Sequence, residues 1–339
     1  MTLDRIRLRR ALLVLALLAA IGPAFAQPLP SRSRQVLDAT RWPERPIRFI
    51  VPFQPGSSSD TVARIVASRL GERLGQQLIV DNRVGASGNV GTEAVARADP
   101  DGYTIGLANT STHAVAASLS ANLAYDPVKD FAPVAMISDS PFVLAVFPGL
   151  PVRDVRELVA LAKAKPHTLN YASAGPASMS HLAGALFEKM AGIELVHVPY
   201  RGTGQSVIDL IEGRIEIQFG TIPPTLQHIR AGKMRVLAVT GGKRNDVIAD
   251  IPTVAEAGIA GYEASLWQAI VVPAATSPAI VARLNREVRA LLKEPDTLAA
   301  FAKQGVDAEP GTSEELARRI QVDVAKWRDV IAGAGIKAQ

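Results

Sequence analysis

From Pro46 onward, short apolar runs alternate with amphipathic stretches. IRFIV (47–51) reads as a buried strand. A helix is predicted from Asp60 to about Leu74, because Val62, Ile65, Val66, Leu70 and Leu74 recur at three- and four-residue spacing. LIVDN and YTIGLAN read as strands, the second entered through the turn Asp99–Gly102. A second set follows. VLAVF (143–147), LNYASAG, VHVPYRG, RIEIQFG, VLAVT and LWQAIVV read as strands, the third running into a loop. RDVRELVALAKAK, SHLAGALFEKMAG and QSVIDLIEG read as helices; the middle one carries Leu182, Ala185, Leu186 and Met190 on one side and is closed by Gly192. Three helices are expected between Ser277 and Ile336. Strand–helix alternation of this kind predicts an α/β fold: a mostly parallel sheet covered by helices on both faces. The two sets share one design, strand, small-residue loop, capped helix, so two lobes with a cleft between them are expected. The chain would cross between lobes near 140–146 and 262–270. That gives a discontinuous first lobe, 44–142 plus 263–339, and a second lobe, 143–262.

The N-terminus follows another pattern. Arg5, Arg7, Arg9 and Arg10 precede the apolar run ALLVLALLAAIG, and Ala24-Phe25-Ala26 supplies an A-x-A site. Residues 1–26 therefore read as a signal peptide cleaved after Ala26. Residues 27–43, rich in Pro, Ser and Arg, read as a flexible lead-in. There is no cysteine, which excludes a lipid anchor on cysteine, disulfides and thiolate metal sites. An exported, cysteine-free chain fits the periplasm.

The chain has 339 residues with 48% hydrophobic and 20% charged content, enough for large cores. Its formal charge is +5. Without the four signal arginines and Asp4, 33 basic residues face 31 acidic ones. With no basic stripe and few aromatics, nucleic-acid binding is disfavoured.

The loops carry the candidate chemistry. Between Pro52 and Asp60, Gly56 permits a sharp turn, Ser57, Ser58 and Ser59 offer hydroxyls, and Ser59 or Asp60 can cap the following helix. A helix start presents unpaired N–H groups and a partial positive charge, which together hold a carboxylate. Ser173-Ala174-Gly175 through Ser178-Met179-Ser180 repeats the arrangement, with Ser178 or Ser180 as cap. Plain helix capping is the competing account of both. Tyr200–Gly204 and Asn109–Thr112 are further small-residue loops. Catalytic motifs are missing: there is no G-x-S-x-G, no P-loop and no HExxH, and no histidine pair has i, i+4 spacing. A hydrolase using Ser178 with His181 as base is the remaining enzymatic reading; His181 is expected instead to be a structural donor, and His197 a core or wall residue.

From Trp42 to Ile336 the chain closely resembles the tripartite tricarboxylate transporter substrate-binding proteins, the Bug family of periplasmic receptors. The likeness rests on PERPIRFIVPFQPGSSSD, NRVGASGNVGTEAVARADPDGYT, YDPVKDFAPV, LNYASAGPASMSHLAGALFEKMAG, VHVPYRG, IPTVAEAG and PAIVARLN. It implies a two-lobed type II periplasmic-binding-protein fold and a non-enzymatic, monomeric receptor that needs no cofactor or metal. Such a receptor captures a small carboxylate (a di- or tricarboxylate, amino acid or aromatic acid), closes by a hinge, and delivers it to membrane subunits of the transporter. The alternative is a receptor that presents its ligand to a sensor kinase. By motif, ligand contacts map to Phe53, Gly56, Ser57, Ser58, Ser59, Asp60, Thr110 and Ser111 in the first lobe. In the second they map to Ser173, Ala174, Gly175, Ser178, Ser180 and Thr203, with Gly220 and Thr221. Ser57 stands where the family usually has a second Gly, and Pro176-Ala177 replace a Gly-containing pair. Gly220-Thr221 occupy a place where many members carry Asp-Asn, which weakens the case for a bound ammonium.

Overall fold

The computed structural model describes residues 41–120, 122–200 and 203–336. The expected signal peptide (1–26) and the lead-in as far as residue 40 lie outside the described residues, as do Arg201 and Gly202. Of the residues assigned to the lead-in, 41–43 are described, and Trp42 and Pro43 are buried. The Trp42 ring is 6.3 Å from that of Tyr103, and Arg283 donates to the Trp42 carbonyl.

The first elements are β1 (Ile47–Val51), α1 (Ser58–Leu74), β2 (Leu78–Asn82), α2 (Asn89–Ala96), β3 (Thr104–Asn109), a π turn (Ser111–Val115) running into α3 (Ala116–Leu119), and β4 (Phe131–Val146). Next come α4 (Val155–Ala164), β5 (Asn170–Ser173), α5 (Met179–Ala191), β6 (Val196–Pro199), α6 (Thr203–Ile211), β7 (Ile217–Thr221), α7 (Ile222–Arg230) and β8 (Arg235–Val239). The chain ends with β9 (Ser265–Pro273), α8 (Pro278–Leu291), α9 (Pro295–Lys303), β10 (Asp307–Ala308) and α10 (Ser313–Gly333).

The strands form one mixed sheet in the order β2-β1-β3-β9-β4-β7-β5-β6, with β8 and β10 also on β4. Among the described strands, parallel ladders are formed by β2-β1-β3 and by β7-β5-β6, with one isolated parallel bridge between Val239 and Thr253; every pair that includes β4 or β9 is antiparallel. The expectation of a mostly parallel sheet is thus corrected. Alternating strand–helix units set the outer strands, but two long strands run antiparallel through the middle of the sheet. β4 is the longer, at 16 residues. It pairs with β9 as far as Pro141 and with β7 and β8 from Phe142 or Val143 onward. One strand therefore serves both halves of the molecule, and the chain returns at Ser265, which pairs with Pro141.

Burial follows the sequence periodicity. In α1, Val62, Ala63, Val66, Ala67, Leu70 and Leu74 are buried against β1 and β2, and Gly75 closes the helix at φ 70°. The start differs from expectation: α1 begins at Ser58 and its cap is Ser57, whose hydroxyl accepts from the Asp60 N–H at 3.2 Å. The shift follows from Asp60, whose carboxylate is used inside the loop and is not free to cap.

Candidate functional site

In the first half, the loop from β1 to α1 is held from within by Asp60. This residue is 2% exposed. Its carboxylate accepts from Gly56 N at 2.8 Å, Arg64 Nε at 2.9 Å and Asn82 Nδ2 at 2.8 Å. Burial would raise its pKa, but these partners hold it below the usual carboxylate value. Asn82 also donates to the Phe53 carbonyl at 3.0 Å, so strand β2 braces both ends of the turn. Gly56, at φ 80°, takes the left-handed conformation that the turn needs. Ser57 N donates to Gln54 O and Thr61 N to Ser57 O. Among the described residues, the N–H groups of Ser58 and Ser59 have no protein partner; they are the first two of the helix.

The second half repeats the construction with different parts. Ser178 caps α5: its hydroxyl accepts from His181 N at 3.3 Å and donates to Gly175 O at 2.7 Å. Ala174 N donates to Ser180 Oγ at 2.9 Å, Gly175 N to Ser173 Oγ at 3.2 Å, and Ser178 N to Gly175 O. Pro176 has no N–H, and Ala177 N donates to His181 Nδ1 at 3.0 Å. The loop's own donors are thus spent inside the loop, which leaves Met179 and Ser180 N–H at the start of α5. Ala177 sits at φ 57°, a left-handed conformation that favours glycine.

Two imidazoles support this loop from beneath. His181 and His197 stack with ring centroids 3.7 Å apart and planes 5° apart, and Tyr171 lies 5.0 Å from His197. His197 Nε2 is 2.6 Å from Ser173 Oγ, which itself bonds to Gly175 O. Burial, and then the neighbouring His197, push the His181 pKa down to about 4; burial lowers that of His197 too. His181 is therefore an acceptor at Nδ1, not the structural donor expected. It makes no side-chain bond to Ser178, and the close serine–imidazole pair, Ser173–His197, has its serine buried. Neither arrangement presents an activated nucleophile to a substrate.

Two cavities line the cleft between the halves. One, of about 460 Å³, is bounded by Phe53, Ser87, Asn89 and Ser111 on one side and by Pro176, Ala177 and Ser178 on the other. Val115, Ala116 and Leu119 form its apolar wall. The other, of about 290 Å³, joins Gly56, Ser58 and Thr61 to Thr221, Ile222 and Pro223 across the crossover residues Ser140 and Pro141. The residues singled out by motif divide accordingly. Phe53, Ser111 and Ser178 meet at the first cavity; Gly56, Ser58 and Thr221 meet at the second.

Ser57, Ser59, Asp60, Thr110, Ser173, Ala174, Gly175, Ser180, Thr203 and Gly220 line neither of these cavities. Several have evident structural work instead. Thr110 is fully buried, donating to Ser265 O at 3.2 Å and accepting from Trp267 N at 3.0 Å, and so ties the end of β3 to the returning strand β9. Thr203 accepts at its hydroxyl from Thr221 Oγ1 at 3.3 Å. Residues that the sequence reading passed over are Ala86, Ser87, Asn89 and Ser120. Asn89 accepts from Tyr125 OH at 3.0 Å and donates to Ser120 Oγ at 3.2 Å. Gly85 and Gly88 in NRVGASGNVG were the available signal.

Comparison with known proteins places this architecture among transport receptors. The family described as "Tripartite tricarboxylate transporter family receptor" matches residues 62–336. Protein BugT of Bordetella pertussis is 36% identical over 302 residues, covering 89% of this chain and 93% of its own length. An R. palustris protein solved with adipate superimposes with a TM-score of 0.72 at 36% identity, over 88% of this chain and 100% of that one. The periplasmic binding protein BugD gives a TM-score of 0.69 at 31% identity, over 88% and 100%.

Proposed function

The chain belongs to the tripartite tricarboxylate transporter receptor family, and on that premise we propose that it captures a small organic carboxylate in the cleft between its halves and passes it to membrane subunits of such a transporter. The family is one of receptors, and its solved relative BugD is a periplasmic binding protein. One observation carries the site assignment. Among the described residues, the starts of α1 and α5, from opposite halves, each keep two N–H groups without protein partners; Ser58, which carries one of them, lines the smaller cavity, and Ser178, the cap of α5, lines the larger. Such groups stabilise an anion without a cationic side chain. A relative solved with adipate supports the choice of a carboxylate. We take the halves to be lobes, 44–142 with 263–339 and 143–262, a division supported by the change of strand partners of β4 after Pro141 and by the return of the chain at Ser265. We also take the N-terminal 26 residues to be an export signal removed in the periplasm.

A thermal-shift screen of the purified protein against mono-, di- and tricarboxylates, amino acids and aromatic acids tests this reading. A ligand at a hundred times its Kd adds about 2.7 kcal/mol, or roughly 5 °C or more in Tm. Ser178→Asp keeps a good helix cap while placing a negative charge in the cavity wall. Its expected outcome is a folded protein with binding weakened at least tenfold; full affinity in this variant refutes the site assignment.

A further inference from the structure

We propose that the cleft takes a carboxylic acid that bears no ammonium group and whose body is an alkyl chain or aromatic ring; this deepens, and rests on, the carboxylate-receptor reading above. Among the described residues that line the two cleft cavities, none is acidic and none is basic. A buried ammonium needs a carboxylate or a set of free acceptors, because its desolvation is otherwise uncompensated. The nearest carboxylate in the loop, that of Asp60, is committed to Gly56, Arg64 and Asn82. Loop carbonyls that would substitute for a carboxylate are also engaged: Phe53 O by Asn82, and Gly175 O by Ser173, Ser178 Oγ and Ser178 N. The cleft thus offers donors at its helix starts and, as acceptors, only the neutral hydroxyl and amide groups among its lining residues, with no carboxylate to match an ammonium charge.

The larger cavity adds the second half of the specification. Phe53 stands on one side, Val115, Ala116 and Leu119 form a wall, and Pro176 and Ala177 face them from the other half. At 176–177 the loop presents a ring and a methyl group and no free N–H, because Pro176 has none and that of Ala177 is held by His181. A hydroxyl or carboxylate group held between 176–177 and the wall of Val115, Ala116 and Leu119 would lose water without gaining a side-chain partner from them, the polar lining residues Ser87, Asn89, Ser111, Ser120 and Ser178 being left for the acid groups at the ends. An alkyl or aryl body gains from the same burial.

The test is calorimetric titration of the purified protein with pairs that differ only in the ammonium group: glutarate against glutamate, and 3-phenylpropanoate against phenylalanine, with citrate as a hydroxylated, polyanionic body. The expected result is that a deaminated acid binds at least 100-fold tighter than its amino-acid counterpart, and tighter than citrate. An amino acid binding within tenfold of its deaminated partner overturns the ammonium exclusion, and citrate binding tightest overturns the apolar body. No binding by any acid overturns the carboxylate reading itself, which separates the two failures. Thr221→Asp, at a cavity-lining helix cap where Asp is well tolerated, should move the acid-to-amino-acid ratio at least tenfold toward the amino acid. An unchanged ratio in a folded variant counts against the proposed location.

Discussion

His181 is kept neutral by its surroundings, and its Nδ1 lone pair holds the N–H of Ala177. Protonation would break that bond and set a charge against the stacked face of His197. The sign of the resulting pH dependence is fixed. A histidine whose folded pKa is depressed binds fewer protons folded than unfolded, so it contributes stability above about pH 6.5 that is lost as pH falls toward its folded pKa of about 4. His113, wholly buried and pushed down to about 3, adds a slope of the same sign. Asp307, raised to about 6 by burial, opposes it. His181→Gln should therefore flatten the fall in Tm between pH 6.5 and 4; an unchanged profile shows that the other groups carry it. Asp60 makes a second residue-scale case. Asp60→Asn leaves three donors facing one acceptor oxygen, and should cost about 2 kcal/mol in urea denaturation. It should also weaken ligand binding, although Asp60 lines neither cleft cavity. Destabilisation without loss of affinity would separate the loop's shape from its function.

At the scale of elements, the helices were legible wherever a cap and a periodic apolar face coincided. The segment MSHLAGALFEKMA needed only Ser178 before it and Gly192 after it. The three C-terminal helices likewise emerge at 278–291, 295–303 and 313–333. What stayed hidden depends on conformations that residue type does not advertise. Ala86 and Ser87 adopt φ of 46° and 56° in the turn that closes the larger cavity, and neither Ala nor Ser marks a left-handed turn as glycine does. The first half of β4 was also missed, because FAPVAMISDSP contains two prolines and breaks alternation; the strand shifts register between Pro133 and Ala135 and between Met136 and Ser138. The loops Ser57–Asp60 and Ser173–Ser180 could be found in the sequence, but the way their members divide between lining and bracing could not. That division depends on Asn82 and His181, which arrive from outside each turn.

For the whole molecule, the two halves share one sheet and are tied on their flank as well. Asn245 in the second half donates to Asp307 at 2.7 Å, and Lys243 pairs with Glu309 at 2.6 Å, while β10 sits on β4 in the first half. Helix α10 packs against both the π turn after β3 and α5, and Lys189 reaches the Asp329 carbonyl at 3.1 Å. Asn245→Ala removes one cross-link whose two members line neither cleft cavity. It should raise Kd about fivefold through the balance of arrangements alone, with a larger radius of gyration for the free protein in solution scattering. Continuity of β4 and β9 gives this balance a mechanical meaning. A hinge made of loops rotates almost freely, whereas a hinge made of hydrogen-bonded strands must be flexed like a leaf spring. On the receptor reading proposed above, closure would flex these strands, and the energy stored in them would be returned when the ligand is let go. Receptors built on this frame can adjust how readily they release cargo by changing the stiffness of two strands, leaving the groups that hold the acid as they are.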